Sequence, residues 1–116
     1  MHELGVTRAV LKVVLAEANE RGLTSVVGIT LTVGEMHGFE QEWIQRYFSA
    51  AARGTAAEGA RITMVPVPPR FRCRLCEADF AIDVRRDRVP RCPRCHARDY
   101  ELLAGKELMV TGMQAF

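Results

Sequence analysis

The four cysteines of this 116-residue chain are confined to two short turns, Cys73-Arg74-Leu75-Cys76 and Cys92-Pro93-Arg94-Cys95, with fifteen residues between them. A Cys-x-x-Cys turn points two thiolates the same way. Two such turns facing each other supply the four soft ligands and tetrahedral geometry that structural Zn²⁺ prefers. Two other uses of the cysteines compete. Disulfides need an oxidising compartment, and Met1-His2-Glu3 leads straight into an amphipathic segment with no export signal, so the expectation is a cytoplasmic chain with reduced thiols. A redox pair would open a helix after a strand, whereas Phe71 to Cys95 is short, polar and rich in arginine. The spacing therefore predicts a zinc ribbon with Cys73, Cys76, Cys92 and Cys95 as ligands. Four thiolates leave no open position, so this metal is expected to hold the fold and do no chemistry.

A chain of this length fits a small domain carrying a metal-stapled insert. Apolar residues make up 48% and no apolar run approaches the eighteen or so residues of a membrane span, so no membrane partner is expected. Charge is unevenly placed, with nine arginines between Arg70 and Arg98 against a mildly acidic remainder. Such a basic lobe suits nucleic acid or an acidic protein surface, and charge does not choose between them.

Apolar residues at Leu4, Val10, Leu11, Val14, Leu15 and Ala18 recur at helical spacing over residues 4–21, and Gly22 ends the run. Val27, Ile29, Leu31 and Val33 alternate with small or polar residues as in a strand with one buried face, and 34–38 reads as a loop. A second helix is expected over 40–53, with Trp43, Ile44, Tyr47, Phe48 and Ala51 on a core-facing stripe. Arg61 to Val67 reads as a strand, and Pro66, Pro68 and Pro69 mark a stiff exit from it. Within the ribbon, Phe80 to Val84 is expected to form a hairpin strand with Tyr100 to Leu103 as its return, and 107–114 a last strand rejoining the first lobe. The expected architecture is α+β: two helices on a three-stranded sheet, formed by residues 1–67 and 106–116, with a zinc-ribbon domain inserted over 68–105.

The other chemically loaded place is the start. The Met1 amine, the His2 backbone nitrogen and the His2 imidazole can close adjoining chelate rings around one ion, a nitrogen-rich square plane that suits Ni(II) or Cu(II). Bulky His2 disfavours removal of Met1, which keeps the amine in place. Glu3 offers an oxygen ligand or a compensating charge at a helix start. An exposed, frayed terminus with no ligand is the simpler alternative.

Taken in order, Met1-His2-Glu3-Leu4 before a long amphipathic helix, Val33-Gly34-Glu35 after an alternating strand, Glu58-Gly59-Ala60 before a short one, the two cysteine turns and Leu103-Ala104-Gly105-Lys106-Glu107-Leu108 resemble the HypA/HybF family. These are nickel-incorporation factors of [NiFe]-hydrogenase maturation, and the resemblance runs from Met1 to about Gln114. It implies a nickel metallochaperone, not an enzyme. Met1, His2 and Glu3 would hold Ni(II) as transient cargo, and the four cysteines would hold structural Zn(II). The implied partners are the accessory GTPase HypB and the hydrogenase large-subunit precursor, or urease for some relatives, with the chain a monomer or homodimer.

The chain departs from the family pattern in carrying His96-Ala97 where many members have Gly-Ser after the second turn. His96 and the loop residue His37 are further candidate metal ligands; the competing readings are capping or solvent exposure for His96 and an exposed loop residue for His37. The rival function is a zinc-ribbon module binding nucleic acid or protein through Arg70, Arg72, Arg85, Arg86, Arg88 and Arg91. Few ribbon aromatics for base stacking and no reading helix weigh against nucleic acid. No phosphate loop, HExxH or spare nucleophile beside a histidine supports an enzyme.

Overall fold

The computed structural model describes residues 3–82 and 90–116. Two compact units are formed, one from the residues up to Thr32 with Gly38–Val65 and Leu108–Phe116, the other from Val33–His37 and Pro66–Glu107. The architecture is α+β, with helices α1 (Glu3–Glu20) and α2 (Gln41–Ala51) and two three-stranded sheets. The first sheet has the order β2-β1-β6, from Arg61–Val67, Val26–Gly34 and Leu108–Ala115. The second has the order β4-β3-β5, from Asp79–Phe80, Arg70–Cys73 and Tyr100–Ala104.

Helix α1 ends as its sequence predicts. Gly22 takes φ 67°, Leu23 N–H donates to Ala18 C=O at 2.8 Å and Gly22 N–H to Asn19 C=O at 3.3 Å, the paired bonds of a Schellman cap. The buried stripe is narrower than the apolar pattern implied: Thr7, Val10, Val14 and Ala18 are buried, whereas Leu4 is 45% exposed and Leu11 and Leu15 are half-buried. Thr7 tolerates burial because its Oγ1 donates to Leu4 C=O at 2.9 Å. On α2 only Ile44 and Phe48 are buried. Trp43, expected in the core, is 41% exposed, stacked on Tyr47 at 5.9 Å with the Arg46 guanidinium 5.2 Å from its ring centre. A helix of three turns buries one stripe, and the neighbouring stripe is left outside.

Strand β1 is central, with Val26, Ile29, Leu31 and Val33 buried and Val27 exposed at its start. Phe116 N–H bonds Ser25 C=O and Gly34 N–H bonds Glu107 C=O, so β1 and β6 run antiparallel. The segment expected as a loop after β1 winds into a 3-10 turn, Glu35–His37. At the edge, β2 does not present a bare ladder. Gln45 Oε1 accepts from Ile62 N–H at 2.8 Å, Gln41 Nε2 donates to Ile62 C=O at 2.7 Å, and Gln45 Nε2 donates to Ala60 C=O at 3.0 Å. Two side-chain amides of α2 thus stand in for a neighbouring strand, and Pro66 removes a donor farther along. Gln45→Leu is expected to cost about 1–3 kcal/mol in urea denaturation, because it strands backbone groups at both Ile62 and Ala60.

In the second sheet the strand at 70–73 was not expected, and it is the central one. It pairs antiparallel with both β4 (Phe71↔Phe80) and β5 (Cys73↔Tyr100, Phe71↔Leu102). The return strand at 100–104 therefore pairs with β3 and not with the 80–84 segment, of which residues 83 and 84 lie outside the described residues. Phe71, Phe80 and Tyr100 pack as a ring cluster, with centroids 5.3–6.0 Å apart, against buried Cys73, Ile82 and Cys92.

Candidate metal centre

The two cysteine turns are near copies of one another. In the first, Cys73 N–H donates to Ala78 C=O at 2.9 Å and Glu77 N–H to Cys73 C=O at 3.0 Å. In the second, Cys92 N–H donates to Ala97 C=O at 2.9 Å and His96 N–H to Cys92 C=O at 2.8 Å. Both turns close through a left-handed residue directly after the second cysteine, Glu77 at φ 62° and His96 at φ 63°. The repeat therefore extends to Cys-x-x-Cys-x-Ala, a pattern visible in the sequence but not used there. Left-handed backbone costs a non-glycine residue about 1–2 kcal/mol, offset in part by the unfolded-state entropy of glycine. Glu77→Gly and His96→Gly are each expected to stabilise the metal-loaded protein by about 1 kcal/mol in thermal denaturation, with no gain from His96→Ala.

The four sulfurs lie within 4.8 Å of one another, with Cys73–Cys95 and Cys76–Cys92 pairs at 3.5 Å, and among the described residues no other group of three or more His, Cys, Asp or Glu could hold a metal. Cys73 and Cys92 are buried, Cys95 exposed. The first thiol of each turn is the acidic one. Cys73 Sγ accepts from the N–H of Cys76 at 3.5 Å and of Leu75 at 3.4 Å, and these bonds hold its thiol below the ordinary range despite burial. Burial raises the Cys92 thiol, but the N–H groups of Cys95 and Arg94 outweigh it and bring it to about 7. The second thiols move the other way. The Ala78 N–H favours a Cys76 thiolate, but burial and the Cys92 sulfur prevail and raise it. At Cys95 the Ala97 N–H is likewise outweighed by the Cys73 sulfur and by burial, and the thiol is pushed up to about 12. On the protein's own groups, four thiolates this close cannot all ionise. A bound dication removes that obstacle, so this donor set fits a closed tetrahedral metal site.

The surrounding arginines are partly engaged. Arg72 Nε donates to Asp79 at 2.9 Å, a bond that lowers the Asp79 carboxyl pKa, and Arg74 donates to Asp99 at 3.0 Å. Arg85, Arg86 and Arg88 lie outside the described residues, as do Met1 and His2. Glu3 opens α1 and is half-buried, where a carboxylate favours the helix start. His96 is exposed in its turn, and His37 Nε2 meets Lys106 C=O at 2.9 Å, so that nitrogen carries the proton.

The glycines of Val33-Gly34-Glu35 and Leu103-Ala104-Gly105-Lys106-Glu107-Leu108 meet in space. Gly34 N–H bonds Glu107 C=O at 2.7 Å, Met36 N–H bonds Gly105 C=O at 2.9 Å, and a Cβ on Gly34 would overlap the Gly105 backbone. Gly105 itself sits at φ 122° with Glu107 Oε1 accepting its N–H at 2.8 Å. Two sequence motifs are thus one glycine-on-glycine crossing.

Comparison with known proteins agrees with this geometry. Residues 1–115 match the family model described as hydrogenase/urease nickel incorporation, metallochaperone, hypA. The hydrogenase maturation factor HypA of Chlorobaculum tepidum is 36% identical over 110 residues, 95% of each chain. That of Dehalococcoides mccartyi is 32% identical over 114 residues, 98% of this chain and 93% of its own. The solution structure of the Ni metallochaperone HypA from Helicobacter pylori aligns with TM-score 0.69 at 16% identity over 99% of this chain and 97% of its own, which speaks for the fold. Among the described residues no helix is long and apolar enough to cross a membrane. The chain belongs to the HypA family of hydrogenase and urease nickel-incorporation metallochaperones, carriers rather than enzymes.

Proposed function

We propose that this chain binds Ni(II) through Met1, His2 and Glu3 and delivers it during [NiFe]-hydrogenase maturation, while Zn(II) on Cys73, Cys76, Cys92 and Cys95 keeps the ribbon folded. The observation that carries the reading is the family match, which begins at residue 1 and so includes Met1-His2-Glu3 together with all four cysteines. The closed sulfur cluster supports the division of labour, since four thiolates satisfy a structural ion and offer cargo no entry. In this reading the chain works in the cytoplasm as a monomer or homodimer, with the accessory GTPase HypB and the hydrogenase large-subunit precursor as partners. His37 and His96 are not needed for either ion. Arg72 and Arg74, engaged with Asp79 and Asp99, are poorly disposed to serve as phosphate ligands for nucleic acid.

Metal analysis of untagged protein tests the reading. One zinc per chain as isolated and one additional nickel after loading is the expected content; equal nickel uptake with the amine chemically blocked overturns the N-terminal site.

A further inference from the structure

Helices α1 and α2 leave an open groove of ≈ 670 Å³ between them. Its apolar walls are Leu4, Leu11 and Leu15 on one side and Tyr47 with Ala50 on the other, and Arg8 and Lys12 line it from α1. These leucines belong to the apolar pattern of α1 yet stay outside its buried stripe, so the sequence supplies more apolar surface than the core uses. Arg8 and Lys12 are exposed, and among the described residues neither has an ion-pair partner. Like charges at i and i+4 disfavour a helix, and α1 carries this pair beside the groove.

We propose that the groove is the docking site for an amphipathic helix of a partner protein, with leucine-type residues on one stripe and carboxylates flanking it to meet Arg8 and Lys12. The inference rests on the nickel-carrier reading, since Leu4 adjoins Glu3 and an occupant would lie beside the cargo. Three features select this occupant. From Leu4 to Leu15 the α1 wall is about 16 Å long, three turns of a helix. Its walls offer side chains only, the backbone bonds of α1 and α2 being internal, so an extended strand would leave its own N–H and C=O groups unsatisfied there while a helix would not. A second copy of this chain would bring two Arg8–Lys12 pairs face to face, which like-charge repulsion opposes.

The test uses the full metal-loaded chain and two fluorescein-labelled helical peptides, with leucines at i, i+4, i+7 and i+11 and either glutamates or lysines flanking them. Anisotropy titration is expected to show saturable binding of the glutamate peptide, with the lysine peptide at least about tenfold weaker. Arg8→Glu with Lys12→Glu is expected to reverse the preference, the lysine peptide then binding the variant better. Equal binding of both peptides, an unchanged preference in the variant, or no saturable binding overturns the proposal. So does a dimer of the wild type, seen by sedimentation, that the variant dissolves, because the groove would then receive a second copy. Nickel titration of the same proteins keeps the two ideas apart. If the wild type takes up no nickel yet discriminates the peptides as expected, the carrier reading fails and the docking site stands; intact nickel uptake without peptide discrimination means the reverse.

Discussion

His2→Ala is expected to weaken Ni(II) binding at least about a hundredfold in calorimetric titration near neutral pH, with zinc content unchanged. The imidazole is the one side-chain nitrogen in the proposed set, and its loss opens a chelate ring, leaving the amine and a backbone nitrogen with no anchor. One extra residue before Met1 should do comparable damage, because it moves the amine out of ring-closing distance while leaving His2 in place. Acid should do it reversibly. The free amine has a reference pKa of about 7.7–8.0 and imidazole about 6.5, and both must lose protons to bind. Both groups are mostly protonated at pH 6, so apparent affinity should fall about a hundredfold or more between pH 8 and pH 6, more steeply if the backbone nitrogen ionises as well. A pH-independent affinity, or full binding by the extended chain, would assign the nickel to other ligands.

How far the sequence could be read depended on the range of the interactions involved. The elements set by local chemistry came out to within one or two residues: the α1 stop at Gly22, the alternating strand β1 and the β2 strand before the prolines. The cysteine turns were equally legible, because two Cys-x-x-Cys spacings impose their own local geometry. Long-range outcomes were not. Strand β3 hides behind Pro68 and Pro69 and carries two arginines in four residues, so charge masks its alternation of buried Phe71 and Cys73 with exposed Arg70 and Arg72. With β3 hidden, the partner of β5 is hidden too, because β5 pairs with that strand. Trp43 falls on the apolar stripe of α2 yet stays exposed, because helical periodicity specifies a stripe but not its width, and width depends on what packs opposite. The closure of the β2 edge by Gln41 and Gln45 left no sequence signal at all, two glutamines on a helix being unremarkable until Ile62 lies beside them.

Cys92→Ser, or chelation of the proposed zinc, should unfold the second unit and spare the first. Its core around the sulfurs is small: among the described residues, that cluster buries Phe71, Phe80 and Ile82 besides Cys73 and Cys92, and its strands run two to five residues. A core of that size does not hold a fold alone, so metal-binding free energy is folding free energy there. Structural zinc binds with apparent free energies of about 10–16 kcal/mol, so one of four ligands is worth roughly 3–4 kcal/mol, or two to three orders of magnitude in zinc affinity measured by chelator competition. Cys92, like Cys73, is a demanding position because it is fully buried and serine would leave a hydroxyl facing the remaining sulfurs. Two chromophores separate the outcomes. Trp43, the only tryptophan, lies in the first unit, and Tyr100 lies in the ring cluster of the second. Chelation should erase the near-ultraviolet dichroism of Tyr100 while Trp43 emission stays almost constant, because Trp43 rests on Tyr47 and Arg46 of its own helix. Simultaneous loss of both signals would mean that the first unit also depends on the metal, and an unchanged Tyr100 signal would mean that the sulfur cluster is dispensable to the ribbon.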